Sequence, residues 1–183
     1  MGKRLKVGGF EFKLSVAVLV IGILLVDQVS KFWALDHFNS ETRSNVLGLV
    51  DLTIYRNSGA SHGLLAGYPY LLLPLEIVGV VVVFYLANRT ESCFLSLALG
   101  LIAGGGLGNL ADRIIHSHGF GVSGRVVDWI SLPGSRTVFN LADVAIQIGV
   151  GAVVVGMAVS FFKGGRVFTE NTTRKSGLDA KLP

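Results

Sequence analysis

Four long apolar runs, separated by two long polar connections and one short one, set the plan of the chain. Residues 14–26 are uninterrupted, and the run continues past Asp27, Gln28, Ser30 and Lys31 to residue 35. Residues 69–87, 93–107 (extended through Gly108 to Ala111) and 138–162 follow. Crossing ~30 Å of hydrocarbon takes ~20 mostly apolar residues. The pattern therefore predicts four membrane-spanning helices, at about 14–35, 69–87, 93–111 and 138–162. The long connections are not plain linkers. Residues 49–55 (LVDLTIY) alternate as a strand does and end in the turn-rich Asn57-Ser58-Gly59. Residues 126–132 (VVDWISL) read as a second strand, ending at Pro133-Gly134. The fold class is an all-α membrane protein: four transmembrane helices with a small β-rich extracytoplasmic element over the outer mouth.

Composition narrows this further. The chain is 51% hydrophobic and only 15% charged, with 24 glycines, which excludes disorder and falls well below the ~25% charge of soluble domains. The formal charge of +4 matters through its sidedness. Lys3, Arg4, Lys6 and Lys13 precede the first span, Arg89 sits in the short connection, and Lys163, Arg166, Arg174, Lys175 and Lys181 follow the last span. The long connections hold only Arg43, Arg56, Arg113, Arg125 and Arg136. The positive-inside rule then puts both termini in the cytoplasm and both long connections outside. This divides the chain into a basic cytoplasmic N-tail (1–13), a four-helix membrane domain (14–162) and a polar cytoplasmic C-tail (163–183). The first span is not read as a cleaved leader, because DQVSKFW stands where a small-residue cleavage site belongs. No nucleic-acid-binding pattern accompanies the basic residues, and the single Cys93 excludes an internal disulfide framework.

Charges at membrane depth are costly and mark function by default. Asp27 and Lys31 lie one turn apart on the first span and can pair; an ion pair that fixes packing and a substrate-facing role are both open. Gly100, Gly104, Gly108 and Asp112 form a stripe on the third span, which lets a helix or a ligand approach the backbone closely. The tetrapeptide Asn-Leu-Ala-Asp occurs at 109–112 and again at 140–143, at the outer ends of the third and fourth spans. On a helix its Asn and Asp share a face, and Asp143, Gln147 and Gly151 extend that stripe into the fourth span. With Asp27 and Asp128, four carboxylates converge on the outer rim.

Two close carboxyls that share one proton can activate water and protonate a leaving group, which is aspartic-protease chemistry. Asp128 sits among Val126, Val127, Trp129 and Ile130, where desolvation raises a carboxyl pKa. Asp112 is followed by Arg113, which would hold it ionised. Asp128 with Asp143 is therefore preferred to Asp112 with Asp143. A proton-coupled transporter using the membrane acids as a relay is the alternative, but that architecture places acids near the midplane, and only Glu76 lies deep. The sequence offers no role for Glu76. His116-x-His118 reads as surface rather than as a metal site, and Cys93 reads as a packing residue.

Five motifs, in order, carry a family resemblance: Asp27-Gln-Val-Ser-Lys31, Asn57-Ser-Gly-Ala60, Gly105-Gly-Leu-Gly-Asn-Leu-Ala-Asp-Arg113, Val127-Asp128-Trp129 and Phe139-Asn-Leu-Ala-Asp143. Together they resemble lipoprotein signal peptidase (signal peptidase II), over roughly residues 14–162. The resemblance implies an aspartic endopeptidase of the bacterial cytoplasmic (inner) membrane, with its active site near the outer surface. Its substrates would be diacylglyceryl-modified prolipoproteins, cleaved just before the lipidated cysteine. It implies Asp128 and Asp143 as the catalytic pair, and Asn57, Asn109, Arg113 and Asn140 as pocket residues. Asp27 and Lys31 would shape the site, Gly105 and Gly108 would admit the substrate backbone, and Gly59, Asp112 and Ala142 belong to the same motifs. No metal, organic cofactor, nucleic acid or obligate protein partner is implied; membrane lipid is. The chain departs from the family pattern at His62, at Trp129 and in a longer link over 114–125.

Overall fold

The computed structural model describes residues 7–41, 43–59, 68–90, 92–117 and 124–162, with side chains described from residue 14 onward except at Pro69. Helix α1 spans Val7–His37, α2 Pro69–Arg89, α3 Cys93–Ile115 and α4 Leu141–Phe162. Strands β1 (Ser44–Val46) and β2 (Val50–Asn57) lie between α1 and α2, and β3 (Val126–Ser131) and β4 (Val138–Phe139) lie between α3 and α4. The four helices are long and apolar enough to cross a membrane. Their outward residues, such as Val29, Phe32, Val81 and Val154, stay about 60% exposed, as a lipid-facing surface does.

The helix limits differ from the apolar runs at several ends. Helix α1 starts inside the basic segment, at Val7, and α3 continues past Ala111 to Ile115. Helix α4 starts at Leu141 rather than at residue 138, because Val138 and Phe139 pair with Ser131 and Ile130 of β3 instead. Asn140 then caps the helix. Its side-chain Oδ1 accepts from Asp143 N (2.9 Å), and Asp143 Oδ2 accepts from Asn140 N (3.3 Å), which is a reciprocal capping box. The two copies of Asn-Leu-Ala-Asp are therefore unlike: one lies within α3, the other opens α4. Ser92 caps α3 through Leu95 N.

Helix α3 is central, packing on α1, α2 and α4. Its glycine stripe is the α1 interface. A Cβ on Gly100 would meet Val16 at 3.2 Å, one on Gly104 would meet Ile23 at 2.9 Å, and one on Gly108 would meet Asp27 at 2.6 Å. The absence of side chains lets α1 and α3 approach until the polar ends of both helices meet.

The sheet has the order β1-β2-β3-β4, antiparallel throughout, with an irregularity between Leu52 and Tyr55. It rests on the end of α1 through a core of Ala34, Ile54, Val127 and Trp129, with Trp33 edge-on to Trp129 at 5.7 Å. This core seats β3, and hence Asp128, against the helix bundle.

Candidate active site

A buried polar network joins the ends of α1, α3 and α4. Lys31 Nζ lies 2.7 Å from Asp27 and 3.1 Å from Asp112, all three side chains being buried. Each carboxylate then holds a backbone N–H of the next element. Ala142 N, in the first turn of α4, donates to Asp27 Oδ1 at 2.9 Å, where helix N–H groups favour an anion. Val127 N donates to Asp112 Oδ2 at 2.9 Å. Asp27 thus seats the helix that carries Asp143, and Asp112 seats the strand that carries Asp128. Lys31 ties the two together.

The two remaining aspartates face a common cavity. Asp128 accepts from Asn57 Nδ2 (3.1 Å) and from Asn140 Nδ2 (2.6 Å). Asp143 accepts from Asn109 Nδ2 at 2.9 Å and from Asn140 N. Asn140 therefore touches both carboxyls, and it also donates to Asn109 Oδ1, which Lys31 reaches at 3.2 Å. Burial pushes the Asp128 carboxyl from the ordinary carboxylate range up to about 7, and the charge of Asp143 pushes the same way. The Asn57 and Asn140 amides and the Lys31 ammonium pull part of the way back. This is the arrangement in which one carboxyl keeps a proton near neutral pH beside a charged neighbour.

The cavity, about 540 Å³, is lined by Asn57, Gly59, Asn109, Asp128, Asp143 and Gln147 together with Glu76, Arg113 and Ile146. Its wall is built on Arg113. That guanidinium donates to Glu76 Oε1 (2.7 Å), Gly59 O (2.7 Å) and Gly124 O (3.1 Å), linking α2, the end of β2 and the start of β3 to α3. Among the described residues, no three of His, Cys, Asp or Glu converge as a metal site would require.

Several expectations need correction. Arg113 does not pair with the adjacent Asp112; it pairs with Glu76, and Lys31 and Gln28 engage Asp112 instead. Asn140 is a buried bridge rather than part of the cavity lining. Gly105 and Gly108 do not open onto the cavity: Gly105 abuts the Ala142 carbonyl and Gly108 abuts Asp27. Gly151 leaves the α4 stripe, since a Cβ there would meet open space, while Asp143 and Gln147 do line the cavity. Ala60, His62, His118 and the C-tail lie outside the described residues. Sequence reading left Glu76 without a role and gave Gln28 none in the site. Gln28 donates to Gly108 O (3.1 Å) and Asp112 Oδ1 (2.9 Å), and a polar side chain beside Asp27 in an apolar span was the signal available.

Gly105 offers a test. A methyl there drives into the Ala142 carbonyl and displaces the first turn of α4, which carries Asp143. Overpacking of this kind costs about 1–3 kcal/mol. Gly105→Ala should lower both melting temperature and turnover, the latter by roughly tenfold as about 1.4 kcal/mol implies, while Gly151→Ala leaves both unchanged. Equal melting and turnover in the two variants would contradict this packing.

A family model described as signal peptidase (SPase) II matches residues 19–159. The lipoprotein signal peptidase of Leifsonia xyli subsp. xyli is 36% identical over 139 residues, covering 74% of this chain and 63% of that protein. Those of Bifidobacterium adolescentis (35% over 141 residues) and Syntrophus aciditrophicus (34% over 146 residues) are covered over 74% and 86% of their own lengths, and cover 76% and 74% of this chain. Two solved bacterial membrane enzymes share the fold. One superposes with a TM-score of 0.71 at 22% identity, over 85% of this chain and 94% of the other. The second gives 0.67 at 24% identity, over 78% and 92%.

Proposed function

Because the chain belongs to the signal peptidase II family, whose members are aspartic hydrolases that cleave the signal peptide of prolipoproteins, we propose that Asp128 and Asp143 are its catalytic pair. The observation that carries this reading is the shared cavity. Two carboxyls on different elements face it, bridged by Asn140, and one of them holds its proton to about pH 7.

The chemistry follows from the donors around each group. Asp143 occupies the first turn of α4 and accepts two N–H bonds, surroundings that suit a carboxylate. It takes a proton from water as the oxygen attacks the scissile carbonyl. Protonated Asp128 donates to the carbonyl oxygen, giving a neutral gem-diol. Collapse returns a diol proton to Asp128, and Asp143 passes its proton to the leaving amine. The amides of Asn57, Asn109 and Asn140 hold both carboxyls in place through the cycle.

Substrate and orientation belong to the same proposal. The substrate is a prolipoprotein bearing a diacylglyceryl-modified cysteine, cut on the N-terminal side of that residue. Glu76 of α2 and Ile146 and Gln147 of α4 stand at the cavity wall, and both helices pack on α3. A peptide can therefore enter sideways from the bilayer with its acyl chains left in lipid. The lysine and arginine distribution supports an orientation with both termini in the cytoplasm and the cavity at the outer face. A proton relay through the membrane finds no support in Glu76, which is held by Arg113 at the wall of the same cavity.

The pH profile tests the proton assignment. Since the Asp128 carboxyl is raised to about 7, the competent protonated form is present below that pH and is lost as pH rises through it. The kcat/KM for a lipidated prolipoprotein peptide should fall tenfold per unit at pH above about 7. A rate that stays level through pH 9 would contradict the role given to Asp128.

A further inference from the structure

A second cleft lies on the opposite face of the sheet. Along β2 and β3, Asn57, Val126 and Asp128 face the catalytic cavity. Arg56 and, just before β3, Arg125 alternate with them and turn the other way, into a cleft of about 470 Å³ that, among the described residues, Ile115, His116 and Ser117 also line. Arg56 is paired in the ladder with Val127, two residues from Arg125. The two guanidiniums are exposed, and among the described residues neither meets an acidic partner. The sequence explains why: no Asp or Glu occurs anywhere in residues 52–75 or 113–127. The carboxylate that precedes this stretch, Asp112, is engaged by Lys31, Gln28 and Val127 N. His116 adds a buried Nδ1 with no hydrogen-bond partner.

Two arginines that line one cleft without a carboxylate, beside a buried imidazole Nδ1 that lacks a hydrogen-bond partner, make it suited to an anion. Its height is set by α3. Ile114 and Ile115 in the last turn are 57% and 60% exposed, as hydrocarbon-facing residues are, and the cleft opens immediately beyond them. A span that ends at Ile115 puts this level where the bilayer phosphates would lie. Guanidinium forks match phosphate oxygens in pairs, and basic pockets at this depth bind lipid headgroups. The absence of acids in these segments also selects among headgroups, because nothing there would receive an ammonium. We propose that the Arg56–Arg125–His116 cleft binds the phosphodiester of an anionic phospholipid headgroup. The bound lipid holds this end of the sheet at the membrane surface, beside the core of Ile54, Val127 and Trp129 that packs on α1. The diacylglyceryl group of a prolipoprotein carries no phosphate, so this ligand is separate from the substrate.

The test uses the full-length protein in detergent and native mass spectrometry, with four probes: phosphatidylglycerol, phosphatidylethanolamine, diacylglycerol and soluble glycerol phosphate. The wild type should retain phosphatidylglycerol at least tenfold more tightly than any of the other three. Arg56→Gln/Arg125→Gln should lose that preference, while Arg56→Lys/Arg125→Lys keeps part of it. Peptide cleavage in detergent and melting temperature should be unchanged in both. If the double glutamine variant does not fold, the single variants give the same reading, each with a smaller loss. Equal phosphatidylglycerol binding by wild type and variant overturns the proposal, as does diacylglycerol binding equal to phosphatidylglycerol. Glycerol phosphate binding as tightly as the lipid would assign the cleft to free phosphate and overturn the lipid assignment.

Discussion

Lys31→Met should remove most of the activity without touching either carboxyl of the proposed catalytic pair. Lys31 is the shared counter-charge of Asp27 and Asp112, at 2.7 and 3.1 Å, and all three side chains are buried. Methionine fills similar volume but leaves two carboxylates without a cation. Breaking a buried pair from one side costs about 3–5 kcal/mol, a large part of the ~5–15 kcal/mol that holds a domain together. Part of that cost falls on geometry, because Asp27 holds Ala142 N and Asp112 holds Val127 N. Asp143 and Asp128, the proposed catalytic pair, sit next to those anchors. We expect turnover to fall by at least about 100-fold, as ~2.7 kcal/mol of misplacement implies, with a lower melting temperature. Lys31→Arg should recover part of both. Wild-type turnover in Lys31→Met would show that the network does not position the pair.

Asp143→Asn should lose turnover by a different route. The asparagine oxygen can accept from only one of Asn109 Nδ2 and Asn140 N, but Asn140 Oδ1 still accepts from the residue 143 backbone N–H, so the start of α4 survives. What disappears is the base. General acid–base groups contribute on the order of 10²–10⁴-fold, and in the proposed cycle one carboxyl serves as base toward water and as acid toward the leaving amine. The expected loss is at the upper end, about 10⁴-fold, with the lipidated peptide still bound and melting close to wild type. Binding can be read by competition against wild-type cleavage. A variant that neither binds nor melts normally would place Asp143 among the structural residues instead.

Much of the membrane plan was legible, because hydrocarbon imposes length and composition. All four helices fall on the apolar runs, and β2 and β3 fall close to the alternating segments. The Asp27–Lys31 pair follows from helical spacing and is present at 2.7 Å. What periodicity could not show is which partner a buried polar group finds across the chain. Arg113 was read against its neighbour Asp112, yet it reaches Glu76, 37 residues away. Two elements were too short to leave a pattern, β1 with three residues and β4 with two. Missing β4 moved the start of α4 three residues too early, and hid the capping box that joins Asn140 to Asp143.

The glycines carry a related lesson. A stripe without side chains signals close approach but not by what. Gly108 faces the carboxylate of Asp27, and Gly105 faces the backbone carbonyl that precedes Asp143. Both serve the site by letting α1 and α4 close on α3. Departures at His62 and over 114–125 sit at or beside residues outside the described set, whereas Trp129 packs into the core under the sheet.

The central claim is that Asp128, and not Asp112, is the second member of the pair. The most direct measurement is cleavage of a diacylglyceryl-modified prolipoprotein peptide by purified Asp128→Asn and Asp112→Asn, at matched amounts of folded protein, with melting curves taken alongside. Asp128→Asn should show no detectable cleavage, with melting near wild type. Asp112→Asn, which loses its ion pair with Lys31 and weakens its hold on Val127 N, should show lower melting and a residual rate above that of Asp128→Asn. Cleavage by Asp128→Asn together with a normally melting, inactive Asp112→Asn would contradict the claim.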